Sequence, residues 1–137
     1  MTLEQYRILH STLMEQYQWI EFDLEGLYAF ICEKPFAQAI EEIEKDAIGG
    51  VVREIQRIEQ QRAINVFSQA EYEQLDRIRE RRNFWSHACY TEARDKKTGT
   101  PRNADRLAAE LDEAENFSER LRRIKDHWAD RYREQNR

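Results

Sequence analysis

Apolar residues recur at steps of three and four near both ends of this 137-residue chain, and this spacing constrains the fold most strongly. The first series comprises Leu3, Tyr6, Leu9, Leu13, Tyr17, Ile20, Leu24, Leu27 and Ile31. The last series comprises Leu107, Leu111, Ala114, Phe117, Leu121, Ile124, Trp128 and Tyr132. Because an α-helix has about 3.6 residues per turn, each series lies on one face of a helix. The spacing therefore predicts a long amphipathic helix at each end, the first ending near Pro35.

The segments between these two helices predict shorter helices. A second helix carries Phe36, Ile40, Ile43 and Ala47, and the same helical period resumes at Val51, Val52, Ile55 and Ile58. The pair Gly49-Gly50 is expected to interrupt or kink this stretch, and residues 60–67 are expected to form a connection. Asn103 is placed to cap the last helix. No alternation typical of β-strands occurs, so the prediction is a single all-α domain over residues 1–137, an antiparallel bundle of four to five helices.

The helix after the connection has a clear start signal. Ser68 and Glu71 form a capping box, and Phe67 with Tyr72 fits the hydrophobic staple that often accompanies one. We expect this helix to run from about Gln69 to about Glu92, ending before the turn-rich segment 95–101. The apolar stripes of the first and last helices could pack within one chain or across a dimer, and periodicity alone does not decide which.

Composition favours a globular protein without a membrane span. Hydrophobic residues make up 40% of the chain and charged residues 36%, and no apolar run approaches the length of about 20 residues that spans a bilayer. The N-terminus lacks the pattern of a signal peptide, so we expect a cytoplasmic location and no membrane partner. Cys32 and Cys89 lie among apolar neighbours and are expected to be buried free thiols. Trp19, Trp85 and Trp128 are expected in the core.

The run Arg82-Asn83-Phe84-Trp85-Ser86-His87 concentrates polar chemistry on one helix. Asn83 and His87 are one turn apart, and Arg82 and Ser86 form a second stacked pair beside them. Asp76 and Arg79 lie upstream on the same arc of the helix, and Tyr90 lies downstream on it. The opposite arc is apolar and carries Leu75, Ile78, Trp85, Ala88 and Cys89. The spacing therefore predicts a helix with one buried face and one chemically active face.

Arg-Asn-x-x-x-His at these positions resembles the signature of the HEPN superfamily, small all-helical domains found widely as RNA-cleaving toxins and defence nucleases. The Gly-containing stretch 48–53 ahead of the motif helix is also similar to that family. The resemblance implies a metal-independent endoribonuclease that dimerises and faces two motifs across one cleft. It also implies a regulatory protein such as an antitoxin. In family members silenced by nucleotide transfer, a Tyr lies two residues after the motif His, whereas Cys89 stands there in this chain, so control of that kind is doubtful.

The residue types suit cleavage of RNA by its own 2′-hydroxyl. We expect His87 to act as general acid or base, Arg82 to hold the phosphate, and Asn83 to orient one of them. The candidate substrate-binding residues are Arg79, Ser86, Tyr90, Lys96, Lys97 and Arg102. Residues 77–106 carry nine basic and four acidic side chains, whereas residues 1–69 carry six basic and twelve acidic ones. This local excess of positive charge predicts an RNA partner despite a formal net charge of −5.

Other interpretations of the same residues remain open. Arg77, Arg79 and Arg81 could simply pair with acidic neighbours along a solvated helix. The three histidines are far apart in sequence, and no metal-ligand spacing occurs, so no metal or cofactor is expected. The alternatives to a ribonuclease are a catalytically silent helical module that binds RNA or a protein, and a dimeric scaffold built on the two long helices.

Overall fold

The computed structural model describes residues 1–136 and shows five α-helices within that range. They are α1 Leu3–Ile31, α2 Phe36–Ile43, α3 Ile48–Arg62, α4 Gln69–His87 and α5 Ala104–Gln135. A short 3₁₀-helix, Cys89–Thr91, follows α4, and an isolated bridge joins Arg94 to Pro101 in the loop before α5. The described residues contain no β-strand. The predicted all-α fold with long first and last helices is confirmed.

The two apolar stripes pack against each other within one chain. Most stripe positions of α1 and α5 are buried in one continuous core, together with residues of the three shorter helices. Tyr6 at the start of α1 contacts Asn103 at the start of α5, and Asp23 bonds Lys125 further along both helices at 3.0 Å. The two long helices therefore run parallel. α4 runs in the opposite direction, because its end contacts the first half of α1.

The connection between α2 and α3 differs from the expectation for Gly49-Gly50. α2 ends at Ile43, and the two glycines lie in the first turn of α3 instead of interrupting a helix. A Cβ at Gly49 would stand 3.2 Å from Cδ of Arg79, so the missing side chain lets Arg79 of α4 lie across the start of α3. α3 continues to Arg62, three residues into the predicted connection, and ends at Ala63 in a left-handed conformation.

The predicted start of α4 is confirmed. The backbone N–H of Ser68 donates to the Glu71 carboxylate at 2.8 Å, and the backbone N–H of Glu71 donates to the Ser68 hydroxyl at 3.2 Å. The rings of Phe67 and Tyr72 pack edge to face with centroids 5.3 Å apart, as a hydrophobic staple requires. This start fixes which residues of α4 face the core, and Trp85, Ile78 and Leu75 are all buried.

The predicted end of α4 at about Glu92 is wrong, because the helix ends at His87. The carbonyl of Trp85 would accept the backbone N–H of Cys89 if the helix continued. Instead the ring Nε2 of His10 lies 2.7 Å from this oxygen, and the Cys89 thiol donates to it at 3.2 Å. The side chains of His10 and Cys89 thus take the place of the backbone hydrogen bond from Cys89 to Trp85, and the chain continues as the 3₁₀-helix.

Asn103 occupies the cap position of α5 but makes no capping hydrogen bond. Its side chain accepts the Tyr6 hydroxyl at 2.6 Å and donates to the Cys89 carbonyl at 2.8 Å and the Glu92 carboxylate at 3.0 Å. The residue is only 3% exposed. This buried amide therefore ties α1, the 3₁₀-helix and the start of α5 together.

Trp19 is the one predicted core tryptophan that the structure places on the surface. Its side chain is 47% exposed and packs edge to face on Phe22, itself 56% exposed. Trp85 and Trp128 are buried, as are the free thiols Cys32 and Cys89. Among the described residues, no helix combines the length and apolar character that crossing a membrane demands.

Replacing Asn103 with Ala should lower the free energy of unfolding by about 2–4 kcal/mol, because it leaves the Tyr6 hydroxyl and the Cys89 carbonyl buried without their partner. Urea denaturation followed by circular dichroism measures the change. Asn116→Ala, at an exposed position of α5, is the matched control and should change stability by no more than about 0.5 kcal/mol. Equal losses in the two variants would contradict the role of the Asn103 side chain.

Candidate functional site

The motif occupies the last turn and a half of α4, held in place by a buried tryptophan. Trp85 is 1% exposed and anchors the helix, while Asn83, Ser86 and His87 project from the exposed side. Within residues 1–136, none of these three exposed side chains makes a hydrogen bond or an ion pair. Their polar atoms are free to meet a ligand from solvent.

Arg82 differs from the other motif residues because it is already paired. Its guanidinium Nε contacts a carboxylate oxygen of Glu21 on α1, and the two side chains are only 35% and 28% exposed. An arginine has five N–H donors, of which Nε carries one, so the two Nη nitrogens retain the remaining four. Glu21 can therefore fix the orientation of Arg82 and leave its terminal fork available to a phosphate.

Glu21 was missed by sequence reasoning, although a signal existed. It lies four residues after Tyr17 and three before Leu24, at the edge of the buried stripe of α1, where a carboxylate needs a partner. Burial raises the pKa of the Glu21 carboxyl above its ordinary value of 4.5, while the charge and hydrogen bond of Arg82 act in the opposite direction. Burial also raises the pKa of Glu25, with Glu21 and Glu44 adding to the effect. The net direction shows that desolvation outweighs the attraction of Arg82.

An open groove of about 670 Å³ lies between the first half of α3 and the exposed side of α4. Three of the predicted site residues, Arg79, Arg82 and Asn83, line it. Arg53 and Gln56 line it from α3. The structure thus brings the motif cation and amide together with residues of a second helix, which the sequence did not indicate.

His87 and Ser86 do not line this groove. Five residues separate Arg82 from His87, which corresponds to about 140° around the helix axis. The guanidinium contacts α1 and lines the groove, whereas His87, one turn after Asn83, lies outside the groove lining. One chain alone therefore does not place its cation and its proton-transfer group in the same groove.

Tyr90 does not continue the motif arc, because α4 has ended before it. Its ring packs edge to face on Tyr6 and His10, with centroids 5.2 and 5.0 Å away, and burial raises the pKa of its hydroxyl. Its predicted position on the same helical arc as His87 is wrong. His10 is a second residue that sequence reasoning missed. Its ring contacts the backbone carbonyl of Trp85, within the motif, and so helps to position the end of α4.

The predicted basic residues after α4 lie on an exposed loop. Asp95 organises this loop by accepting the backbone N–H groups of Lys97 and Thr98 at 2.8 and 3.0 Å. These bonds lower the pKa of the Asp95 carboxyl, and the charge of Arg102 contributes. Lys96, Lys97 and Arg102 make no ion pair within residues 1–136, and no hydrogen bond joins their side chains to the motif. The loop is a separate cationic surface.

The arginines along α4 are only partly neutralised by local pairing. Arg79 pairs with Asp76 at 2.9 Å, as the solvated-helix interpretation expected. Arg81 instead pairs with Glu110 of α5 at 3.3 Å, and Arg77 makes no ion pair within the described residues. Three of the four arginines of α4, counting Arg82, therefore have acidic partners outside residues 77–106, and the unpaired positive charge of this segment lies mainly on Arg77 and the loop after α4.

The described residues contain no group of three or more His, Cys, Asp or Glu side chains placed to hold a metal ion. No family model matches this chain, and the comparisons with curated proteins and with solved structures found no match either. The resemblance to the HEPN superfamily consequently stays a hypothesis that rests on the motif and its helical setting.

Glu21→Gln should be more stable than the natural chain, and the difference between their free energies of unfolding should grow as pH rises. Because the pKa of Glu21 is raised in the folded state, its ionisation costs folding free energy above pH 4.5, and the glutamine escapes this cost. The two proteins should be nearly equal at about pH 4 and diverge towards about pH 7 in urea denaturation. Glu41→Gln, at an exposed unpaired position of α2, is the control. If Glu21→Gln instead becomes less stable than the natural chain as pH rises, the attraction of Arg82 outweighs the desolvation of Glu21.

Proposed function

We propose that this chain is a metal-independent endoribonuclease of HEPN type that cleaves RNA by attack of the ribose 2′-hydroxyl. The observation that carries the proposal is the state of the two motif residues on α4. Arg82 is oriented through Nε by Glu21 with its Nη groups free, and His87 is exposed without a partner within the described residues. A fixed cation and an unoccupied imidazole are the two groups that such a reaction needs.

The reaction follows from these groups. A base removes the proton of the 2′-hydroxyl, the oxygen forms a bond to the adjacent phosphorus, and the bond from phosphorus to the 5′-oxygen breaks. An acid delivers a proton to that 5′-oxygen, which leaves as a hydroxyl, and the other fragment ends in a 2′,3′-cyclic phosphate. His87 is the proton-transfer group, Arg82 stabilises the charge on the crowded phosphate, and Asn83, one turn before His87, orients it.

The different directions of Arg82 and His87 favour a site shared by two chains. The base and the acid must act on opposite sides of the phosphorus, which one histidine does poorly. In a homodimer with two motif helices facing each other, the second His87 supplies the missing group. HEPN nucleases typically assemble in this way, so we propose a homodimer with a composite cleft.

The biological setting that we propose is that of a cytoplasmic toxin or defence effector, with a regulatory protein as partner. The position at which related toxins carry a modified Tyr is Cys89, which is 1% exposed and whose thiol contacts the Trp85 carbonyl. A nucleotidyltransferase antitoxin would find no accessible hydroxyl there. We therefore propose that an antitoxin of this chain acts by covering the motif or by preventing dimerisation.

His87→Ala should lower the cleavage rate by about a hundred- to ten-thousand-fold while leaving stability unchanged, because the side chain is exposed. His127→Ala, which removes an exposed histidine of α5, is the matched control and should cleave normally. Products are resolved on denaturing gels, in EDTA, with end-group analysis for a 2′,3′-cyclic phosphate. A single 2′-deoxy nucleotide at the cut should abolish cleavage there.

Arg82 requires a gentler substitution, since Arg82→Ala would leave Glu21 half-buried without its cation. Arg82→Lys keeps the charge and loses the fork of donors, so it should slow cleavage, whereas Arg77→Lys on the same helix should not. A shared site also requires the specific activity to fall on dilution. A strict need for magnesium, or full activity in His87→Ala, would favour the silent binding module.

The loop cations should contribute affinity without sequence preference. Replacing Lys96, Lys97 and Arg102 together with Ala should weaken RNA binding about equally for different sequences and reduce the steepness of its salt dependence, by a slope of up to about 0.7 for each lost contact to a single strand. Fluorescence anisotropy over a salt series measures both. Unchanged affinity and slope would place the RNA path elsewhere on the molecule.

A further inference from the structure

The groove between α3 and α4 has the shape of a channel for an extended ligand. On α4 its lining follows one face from Gln69 to Asn83, about 21 Å at the helical rise of about 1.5 Å per residue. On α3 the facing residues are Gly49, Arg53 and Gln56, spaced one turn apart. The volume of about 670 Å³ falls within the range of about 300–1,000 Å³ found for ligand sites. The motif residues Arg82 and Asn83 stand at one end.

The polar groups inside this channel suit base edges better than phosphates. Gln56 and Gln69 offer amide donors and acceptors, which match the mixed edges of nucleobases. The carboxylates of Glu73 and Asp76 offer only acceptors and would repel a phosphate. A carboxylate does, however, accept hydrogen bonds from the amino group of a base.

Glu73 is the acceptor that remains available. Asp76 is engaged with Arg79 at 2.9 Å, whereas Glu73 makes no ion pair or side-chain hydrogen bond within residues 1–136. Val52 of α3 and Tyr72 of α4 line the same channel and present apolar surface on which a base can rest. The Glu73 carboxylate lines the same channel and can accept a hydrogen bond from the polar edge of such a base.

The cations are placed where the backbone of such a ligand would run. Arg53 lines the channel and forms no ion pair within the described residues, and Arg79 is held only by an exposed pair to Asp76. An exposed ion pair is worth about 0–1 kcal/mol, so a phosphate can replace Asp76 as the partner of Arg79. The channel therefore offers carboxylates and amides to the bases of a ligand and arginines to its phosphates.

We propose that this channel binds unpaired bases of single-stranded RNA beside the cleaved phosphate, and that Glu73 makes it prefer bases with an exocyclic amino group over uracil. The inference rests on the proposed function for the nature of its substrate. The exocyclic amino group of cytosine carries two N–H donors, one of which lies on the Watson–Crick edge. Uracil has one ring N–H there, which lies between two carbonyl oxygens that a carboxylate repels. In a duplex the Watson–Crick edges are paired and the bases are stacked, so we expect the channel to select unpaired bases.

The test is equilibrium binding of 2′-O-methyl oligocytidine and oligouridine of about eight nucleotides, measured by fluorescence anisotropy on the full chain. The 2′-O-methyl group blocks attack, so the natural protein can be used without cleavage. Oligocytidine should bind about two- to tenfold more tightly, the effect of one net hydrogen bond. Glu73→Gln should abolish this ratio. Glu80→Gln, which removes the same charge from an exposed position of α4 outside the channel, should preserve it.

The ratio of the two affinities is the readout, because loss of an acidic charge strengthens binding of any RNA. Both substituted positions are exposed and both replacements suit a helix, so folding is retained. Equal binding of the two oligonucleotides, or an unchanged ratio in Glu73→Gln, would overturn the inference. If the protein prefers oligocytidine but does not cleave unmodified RNA, the proposed ribonuclease activity is refuted and the base-binding channel stands. If it cleaves RNA but shows no base preference, the channel proposal is refuted and the ribonuclease activity stands.

Discussion

Burial of α1 is the constraint on which the rest of this structure depends. α1 packs against each of the other four helices, and its stripe from Tyr6 to Ile31 supplies much of the common core. Most of the polar residues of α1 lie at positions that these neighbours leave at least partly exposed. Two of these, His10 and Glu21, contact α4, one at the Trp85 carbonyl and the other at Arg82. The core helix thus also determines where α4 ends and where its motif arginine points.

The helices could be predicted from sequence, because their signals are local, whereas the end of α4 and the hydrogen bonds of Asn103 could not. The stripes of α1 and α5 and the capping box at Ser68 are written in neighbouring residues, and each was confirmed. The end of α4 at His87 depends on His10, which is remote in sequence and reaches the Trp85 carbonyl only after folding. Asn103 likewise looked like a local cap but satisfies groups from three separate segments. Long-range hydrogen bonds overrode the local pattern in both cases.

The same division applies to the candidate site. Helical spacing alone was enough to group Arg79, Arg82 and Asn83, because all three belong to one helix. The partner of Arg82 and the opposite wall of the groove come from α1 and α3, whose placement against α4 is a matter of tertiary packing. Gly49 was recognised, but only the structure shows that its missing side chain makes room for Arg79. Tyr90 was predicted on the wrong surface because α4 ends at His87, three residues before it.

The two arginines of α4 that line the groove, Arg79 and Arg82, are suited to different tasks because their partners differ in burial. Asp76, the partner of Arg79, is exposed, and water and salt weaken such a pair, so a phosphate can take its place at little cost. Glu21, the partner of Arg82, is half-buried, and separating the pair would leave its carboxylate, already disfavoured by desolvation, without a cation. Arg82 therefore stays oriented whether or not a ligand is present. A cation that need not reorganise is the kind that stabilises a transition state, whereas a cation released from an exposed carboxylate is better suited to binding.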